Sequence, residues 1–210
     1  MTSVLPNFLP ALHETIEQVR AQPVPTARKT LLQPLIDAIQ SRVTLGQRVA
    51  LHFICTHNSR RSQFAQIWAH TAATYFTIPV QCYSGGIEVT AFHPFAVAAI
   101  RRNGFKVPEH PGENPSYAVC LSDDLPPITA YSKRYDSPNY CPSPFVAVMT
   151  CSHVDDHCPV VLGADLRIPV YYEDPGAYDD SPERDARYDE RSLDIARELF
   201  YVFSHIQPSH

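Results

Sequence analysis

RVALHFICTHNSRRSQFAQIWAHTAAT, residues 48–74, is the segment around which the chain is organised. Val49, Ala50, Leu51, Phe53 and Ile54 form an apolar, β-favouring run that delivers Cys55 to a short polar loop. Beyond Arg61 and Ser62 an apolar helical spacing begins, at Phe64, Ile67, Trp68 and Thr71. The order is strand, loop, helix, with five residues between Cys55 and Arg61. A loop of that length at a helix N-terminus can curl its backbone N–H groups inward around one oxyanion, with the helix dipole behind them and a guanidinium closing the ring. The same field favours the thiolate of a cysteine that faces it, and the thiolate is the nucleophile.

A cysteine and an arginine at this separation also arise by chance, and a buried strand-end cysteine is more often packing than chemistry. The strand before, the Ser after, the helix beyond and the lack of a competing G-x-x-x-x-G-K-S shift the balance to catalysis. FICTHNSRRSQFAQIW resembles the phosphate-binding loop of the low-molecular-weight protein tyrosine phosphatases and of the thioredoxin-coupled arsenate reductases that share their fold. Cys55, Asn58, Ser59, Arg61, Ser62 and Gln63 fall on the reductase-type pattern. The resemblance implies an oxyanion cradle made of Thr56, His57, Asn58, Ser59, Arg60, Arg61 and Ser62. Two positions depart from it: His57 stands where the family has Gly, and Arg60 where many members have a second Cys. Gly takes positive φ readily and His rarely, so His57 puts the local backbone in question.

The 210 residues fit one domain of ordinary size with some decoration. With 44% apolar and 19% charged residues and a net charge of −5, the chain has no charge excess for nucleic acid and no feature calling for a membrane partner. An apolar run of about 18 residues and a charged-apolar-small leader are both missing, so the expected location is the cytoplasm. Six cysteines are too sparse for a disulfide-built miniature, and intracellular thiols are normally reduced.

Before the first catalytic strand, Leu5, Phe8, Leu9, Leu12, Ile16 and Val19 recur at helical spacing, and after a Pro23/Pro25 break Leu31, Leu32, Leu35, Ile36, Ile39 and Val43 do so again. This N-terminal helical extension, residues 1–46, either packs on the domain or forms a homodimer face. A second strand is expected over Ile78 to Ser84, followed by SGGIE and a helix from His93-Pro94 to Asn103. Strands alternating with helices predict an α/β fold, a four-stranded parallel sheet with helices on both faces, of the low-molecular-weight-phosphatase type, with the site at the carboxyl ends of the strands. The domain would run from 47 to 210 with an insertion at about 108–144. That insertion is rich in Pro, Ser, Tyr and Asp; it is read either as an ordinary surface loop or as a wall of the site, with Tyr131, Lys133, Arg134 and Tyr135 as substrate contacts.

FVAVMT, residues 145–150, is a buried-strand pattern that ends on Cys151, and six residues separate Cys151 from Cys158-Pro159. This resembles the C-x6-C-P redox segment of thioredoxin-coupled arsenate reductases. Zinc held by Cys151, His153, His157 and Cys158 is the disfavoured alternative, because adjacent ligands at 157 and 158 fit poorly with the usual gaps. Neither a metal nor a cofactor is called for. Ile168 to Tyr172 is the expected last strand, entering Glu173-Asp174-Pro175, which resembles the acid loop of the small phosphatases; an ordinary Asp-Pro turn is the plain alternative. Asp179 or Ser181 is expected to cap a long final helix, with Pro182 in its first turn.

The resemblance implies one of two enzymes. An arsenate reductase would use Cys55, Arg61, Cys151 and Cys158 with a thioredoxin-like reductant. A phosphatase would use Cys55, Arg61 and Asp174 on a phosphomonoester. The reductase is favoured, since a phosphatase has no use for Cys151 and Cys158; a non-catalytic oxyanion sensor is the third class. A potassium ion, which some members of the family hold beside the loop, is left open: Asn58 and Ser84 are in place, but Gln66 stands where a carboxylate is expected.

Overall fold

The computed structural model describes residues 6–138, 140–153 and 160–207. Helices α1 (Pro10–Ala21) and α2 (Thr26–Thr44) precede β1 (Val49–Cys55), α3 (Arg61–Phe76), β2 (Val80–Gly86) and α4 (Pro94–Arg102). A short antiparallel hairpin, β3 (Tyr117–Val119) with β4 (Ile128–Ala130), then leads to β5 (Phe145–Met149), β6 (Ala164–Pro169), a 3-10 turn at Pro175–Tyr178 and α5 (Arg184–Ser204). The main sheet is four-stranded and parallel in the order β2-β1-β5-β6, flanked by helices. β1 is central, which brings Cys55 out at the carboxyl end of the sheet between β2 and β5.

Alternation along β1 divides the interior. Val49, Leu51 and Phe53 join the large cluster with Phe64, Trp68, Tyr188, Phe200 and Phe203. Ala50 and Ile54 join a smaller one with Ala147, Met149, Cys151 and Val161, on which Tyr135 of the insertion also packs. All seven β1 residues are buried, as expected of a strand covered on both faces. α3 is likewise buried almost all round, because it lies between the sheet and α5. The N-terminal helices contribute Leu12, Ile16, Leu32, Leu35 and Ile39 to the large cluster. Arg28 of α2 forks onto the buried carboxylate of Glu198 in α5 at 2.7 and 2.6 Å.

Several boundaries differ from the sequence expectation. β6 occupies Ala164–Pro169 rather than Ile168 to Tyr172. Its exposed edge carries Asp165 and Leu166, which hid the period, and Pro169 supplies no ladder donor. Pairing continues past it as the Val170 N–H to Met149 O and Tyr172 N–H to Thr150 O bonds, so the strand direction is kept up to Glu173. α5 starts at Arg184, beyond Pro182, with no side-chain cap on its first turn. Ser181 Oγ accepts from Glu183 N, and Asp179 is drawn instead to Tyr188 and Arg60. The β3–β4 hairpin was not foreseen; each strand is only three residues long, too short to show a period.

Candidate active site

The turn from β1 into α3 is held by side chains rather than by its own backbone. Among the described residues, the N–H groups of His57, Asn58, Ser59, Arg60 and Arg61 donate to no backbone carbonyl. Outward bonds spread the loop instead. Thr56 O accepts from the N–H groups of Ile87 and Glu88, Ser59 O from His93 N, and His57 O from Ser132 Oγ at 2.7 Å. Gln63 Nε2 bridges Asn58 O and Tyr131 O at 3.0 and 2.8 Å. The left-handed backbone that the loop needs falls on Asn58 (φ 48°), one residue past His57, and Asn tolerates that region far better than His. The His57 substitution therefore leaves the turn unstrained. Its imidazole faces out to Glu88, with Nε2 3.1 Å from the carboxylate.

Two glycines admit the loop. A Cβ on Gly86 would lie 2.7 Å from Asn58 N and from Thr56 O, and one on Gly85 would run into the Tyr135 backbone. SGGIE thus works by having no side chain where three segments meet.

Cys55 is buried at the base of the turn, with Sγ 3.0 Å from Ser62 Oγ, which in turn accepts from Asn58 Nδ2 at 2.8 Å. A cavity of ≈ 10 Å³ above it is lined by Cys55, His57, Ser59, Arg60, Arg61 and Asp174. At its rim Arg61 Nη2 donates to Asp174 Oδ2 at 2.6 Å and Arg61 Nη1 to Tyr172 O at 3.1 Å, and Arg60 Nε lies 3.9 Å from Asp174 Oδ1. Asp174 also caps the 3-10 turn, Oδ1 accepting from Gly176 N. A far larger cavity of ≈ 780 Å³, lined by Val43, Arg48, His70 and Ile78 among others, opens where β1 and β2 begin, at the opposite end of the strands from Cys55.

Of the two expected partners of Cys55, Cys151 is buried next to the loop, with its Sγ 3.6 Å from Thr56 Oγ1. Strand pairing fixes it there, because Thr150 binds Ile54 O through both N–H and Oγ1. Cys158 lies outside the described residues, as does His157 of the zinc alternative. Arg60 lines the cavity wall but makes its hydrogen bonds elsewhere: Nε donates to Tyr188 OH (2.7 Å) and Nη2 to Asp179 (2.9 Å), while Tyr188 OH donates to Asp179 Oδ1 (2.7 Å). Burial, then the Arg60 charge, keeps the adjacent His93 below its ordinary pKa. This cluster ties the loop after β6 to the start of α3, and no motif spacing announced it.

Of the four insertion residues, Lys133 reaches beneath the loop rather than into the cavity. Tyr135 is buried, and Arg134 pairs with Asp136 and donates to Ile87 O.

Over 133 residues, 63% of this chain, the sequence is 26% identical to an arsenate reductase of Halalkalibacterium halodurans, covering 78% of that protein. It is 28% identical over 125 residues to arsenate reductase 2 of Staphylococcus epidermidis, covering 60% of this chain and 77% of that one. The chain is similar in sequence to arsenate reductases. Two solved structures also align: a low-molecular-weight phosphotyrosine phosphatase from Vibrio cholerae O395 (TM-score 0.49, 13% identity, 74% of this chain and 94% of that one) and a thioredoxin-dependent arsenate reductase from Corynebacterium glutamicum (TM-score 0.42, 18% identity, 92% and 84%). No family model matches. Among the described residues, no helix of this arsenate-reductase-like chain is long and apolar enough to cross a membrane.

Proposed function

We propose that the protein reduces arsenate through a relay of three cysteines, and the observation that carries this is the burial of Cys151 beside the loop that holds Cys55. The Cys55 thiolate displaces a hydroxyl from arsenic, which leaves as water, and a thioester of arsenate forms on Cys55. The cradle of Thr56 to Ser62 holds the remaining oxygens with backbone N–H groups, and Arg61 closes over them once it leaves Asp174. The Cys151 thiolate then attacks Cys55 Sγ. The S–As bond breaks with its electron pair going to arsenic, arsenite departs, and a Cys55–Cys151 disulfide remains. Cys158 next attacks Cys151 and frees Cys55, and the dithiol of a thioredoxin-like protein reduces the Cys151–Cys158 pair.

Sequence similarity to proteins named arsenate reductase supports this choice over the phosphatase. The phosphatase keeps one observation in its favour, the Asp174 carboxylate at the mouth of the cavity, where a general acid would meet a leaving ester oxygen. Replacing Cys151 or Cys158 with Ser separates the two. The reductase predicts that thioredoxin-coupled turnover of arsenate stops while hydrolysis of a small aryl phosphate continues. Unchanged arsenate turnover in both variants would remove the relay.

A further inference from the structure

Lys133 is a buried lysine that pairs, among the described residues, with no carboxylate. The short segment 131–135 lies along the end of β2, with Gly86 N donating to Lys133 O (2.8 Å) and Tyr135 N to Gly86 O (2.9 Å), so its course is fixed by the sheet. From there the ammonium points under the oxyanion loop. Its three protons have three oxygens within reach: Tyr131 O at 2.8 Å, Asn58 Oδ1 at 3.4 Å and Ser84 Oγ at 3.5 Å. The rings of Tyr131 and Tyr140 cover it, their centroids 4.4 and 4.7 Å from Nζ. Gln66 Oε1 completes the shell behind Ser84, accepting from its hydroxyl at 2.5 Å.

We propose that the Lys133 ammonium is the built-in cation of the oxyanion loop, a positioning residue that fixes the Asn58 amide and, through Ser62, the hydrogen bond to Cys55, and that the protein therefore takes no alkali-metal ion at this place. A metal would need the oxygens of Asn58 and Ser84, which the ammonium already holds. Gln66 provides no negative charge to attract one.

Charge fixes the rest of the chain. Asn58 Oδ1 accepts from both the N–H and the ammonium of Lys133, so the amide cannot flip without setting its NH2 against a cation. Nδ2 must then face Ser62 Oγ. A hydroxyl that accepts there keeps its own proton for Cys55 Sγ, 3.0 Å away, and this bond favours the thiolate. The other cations around the cavity are neutralised: Arg60 by Asp179, Arg61 by Asp174, and His57 by Glu88 when it is protonated. His52, packed among the rings of Tyr83, Tyr140 and Phe145, is kept neutral by burial and by the Lys133 charge. Lys133 is thus the unpaired positive charge beneath a site built to hold a thiolate and an oxyanion.

This deepens the cradle of the proposed function, and its test reads Cys55 directly, so that it does not depend on which enzyme the protein is. The rate of Cys55 alkylation by iodoacetamide, followed on its own peptide by mass spectrometry, is measured against pH, with and without inorganic phosphate. Lys133→Met is expected to raise the midpoint by about one pH unit or more. Lys133→Ala is expected to do the same, and methylammonium chloride, unlike choline chloride, is expected to bring the midpoint partly back. In the wild type, phosphate should protect Cys55 equally in potassium and in choline chloride at one ionic strength. A cooperatively melting Lys133→Met protein with an unmoved midpoint would overturn the proposal, as would wild-type protection that requires potassium. The wild-type arm decides if neither variant folds. Lack of turnover on both arsenate and aryl phosphate would instead remove the proposed function and leave these alkylation results standing.

Discussion

Arg61 lies with one nitrogen on Asp174 and another on the Tyr172 carbonyl, whereas Arg60, its neighbour in sequence, is bound to Tyr188 and Asp179. Arg61→Lys should lose the planar fork and weaken arsenate or phosphate binding by about tenfold or more. Arg60→Ala should leave that affinity within about threefold and slow turnover instead, because it frees the loop that carries Asp174. Competition by inorganic phosphate, set beside kcat, distinguishes the two. Gly86→Ala places a methyl group against the Asn58 and Thr56 backbone and should cost about 1–3 kcal/mol in urea unfolding together with most of the activity. Lys133 adds a pH dependence. Burial brings its ammonium down from 10.5 to about 7. The unfolded chain then binds more protons than the folded one between those values, so folding stability should rise with pH across that window. As the pH rises through about 7 the charge under Asn58 is lost, and activity should fall. Melting temperatures of the wild type relative to Lys133→Met, taken at about pH 7 and about pH 9, check the sign.

At the scale of elements, β1, the turn after it and α3 were readable because one period changes to another across six polar or charged residues, Thr56 to Arg61. The same logic located β5 and α4 almost to the residue. It failed on β6, an edge strand with a half-polar face, and on the β3–β4 hairpin, whose strands are too short for a period. Lys133 was singled out as a substrate contact, and its place beneath the loop escaped the sequence for a different reason. Nothing local marks a lysine in a Tyr- and Pro-rich segment as buried; only its pairing alongside Gly86, far away in sequence, puts it under the loop. The Asp179–Tyr188–Arg60 cluster is equally non-local. The N-terminal helices make a separate prediction. Arg28 neutralises Glu198, a carboxylate only 3% exposed, so Arg28→Ala should leave a buried charge uncompensated and destabilise the protein by about 3 kcal/mol. Urea unfolding with an unchanged m-value would confirm that α2 belongs to the same cooperative unit as the sheet, while a loss under about 0.5 kcal/mol would show that it does not.

For the whole molecule, the relay asks three cysteines from separate parts of the chain to exchange bonds in sequence. Cys55 and Cys151 are already neighbours of Thr56, at the ends of adjacent parallel strands, and that proximity follows from the sheet order alone. Cys151 and Cys158 were recognisable by spacing, but spacing does not tell a redox pair from two packed thiols. Chemistry does. The most direct measurement is mass spectrometry of the thiol-trapped wild type after a single turnover with arsenate and no reductant. A disulfide between Cys151 and Cys158, with Cys55 alkylated and one arsenite released per chain, is the predicted result. Three free thiols after exposure to arsenate, in a protein that hydrolyses aryl phosphates efficiently, would contradict the relay and make this a phosphatase.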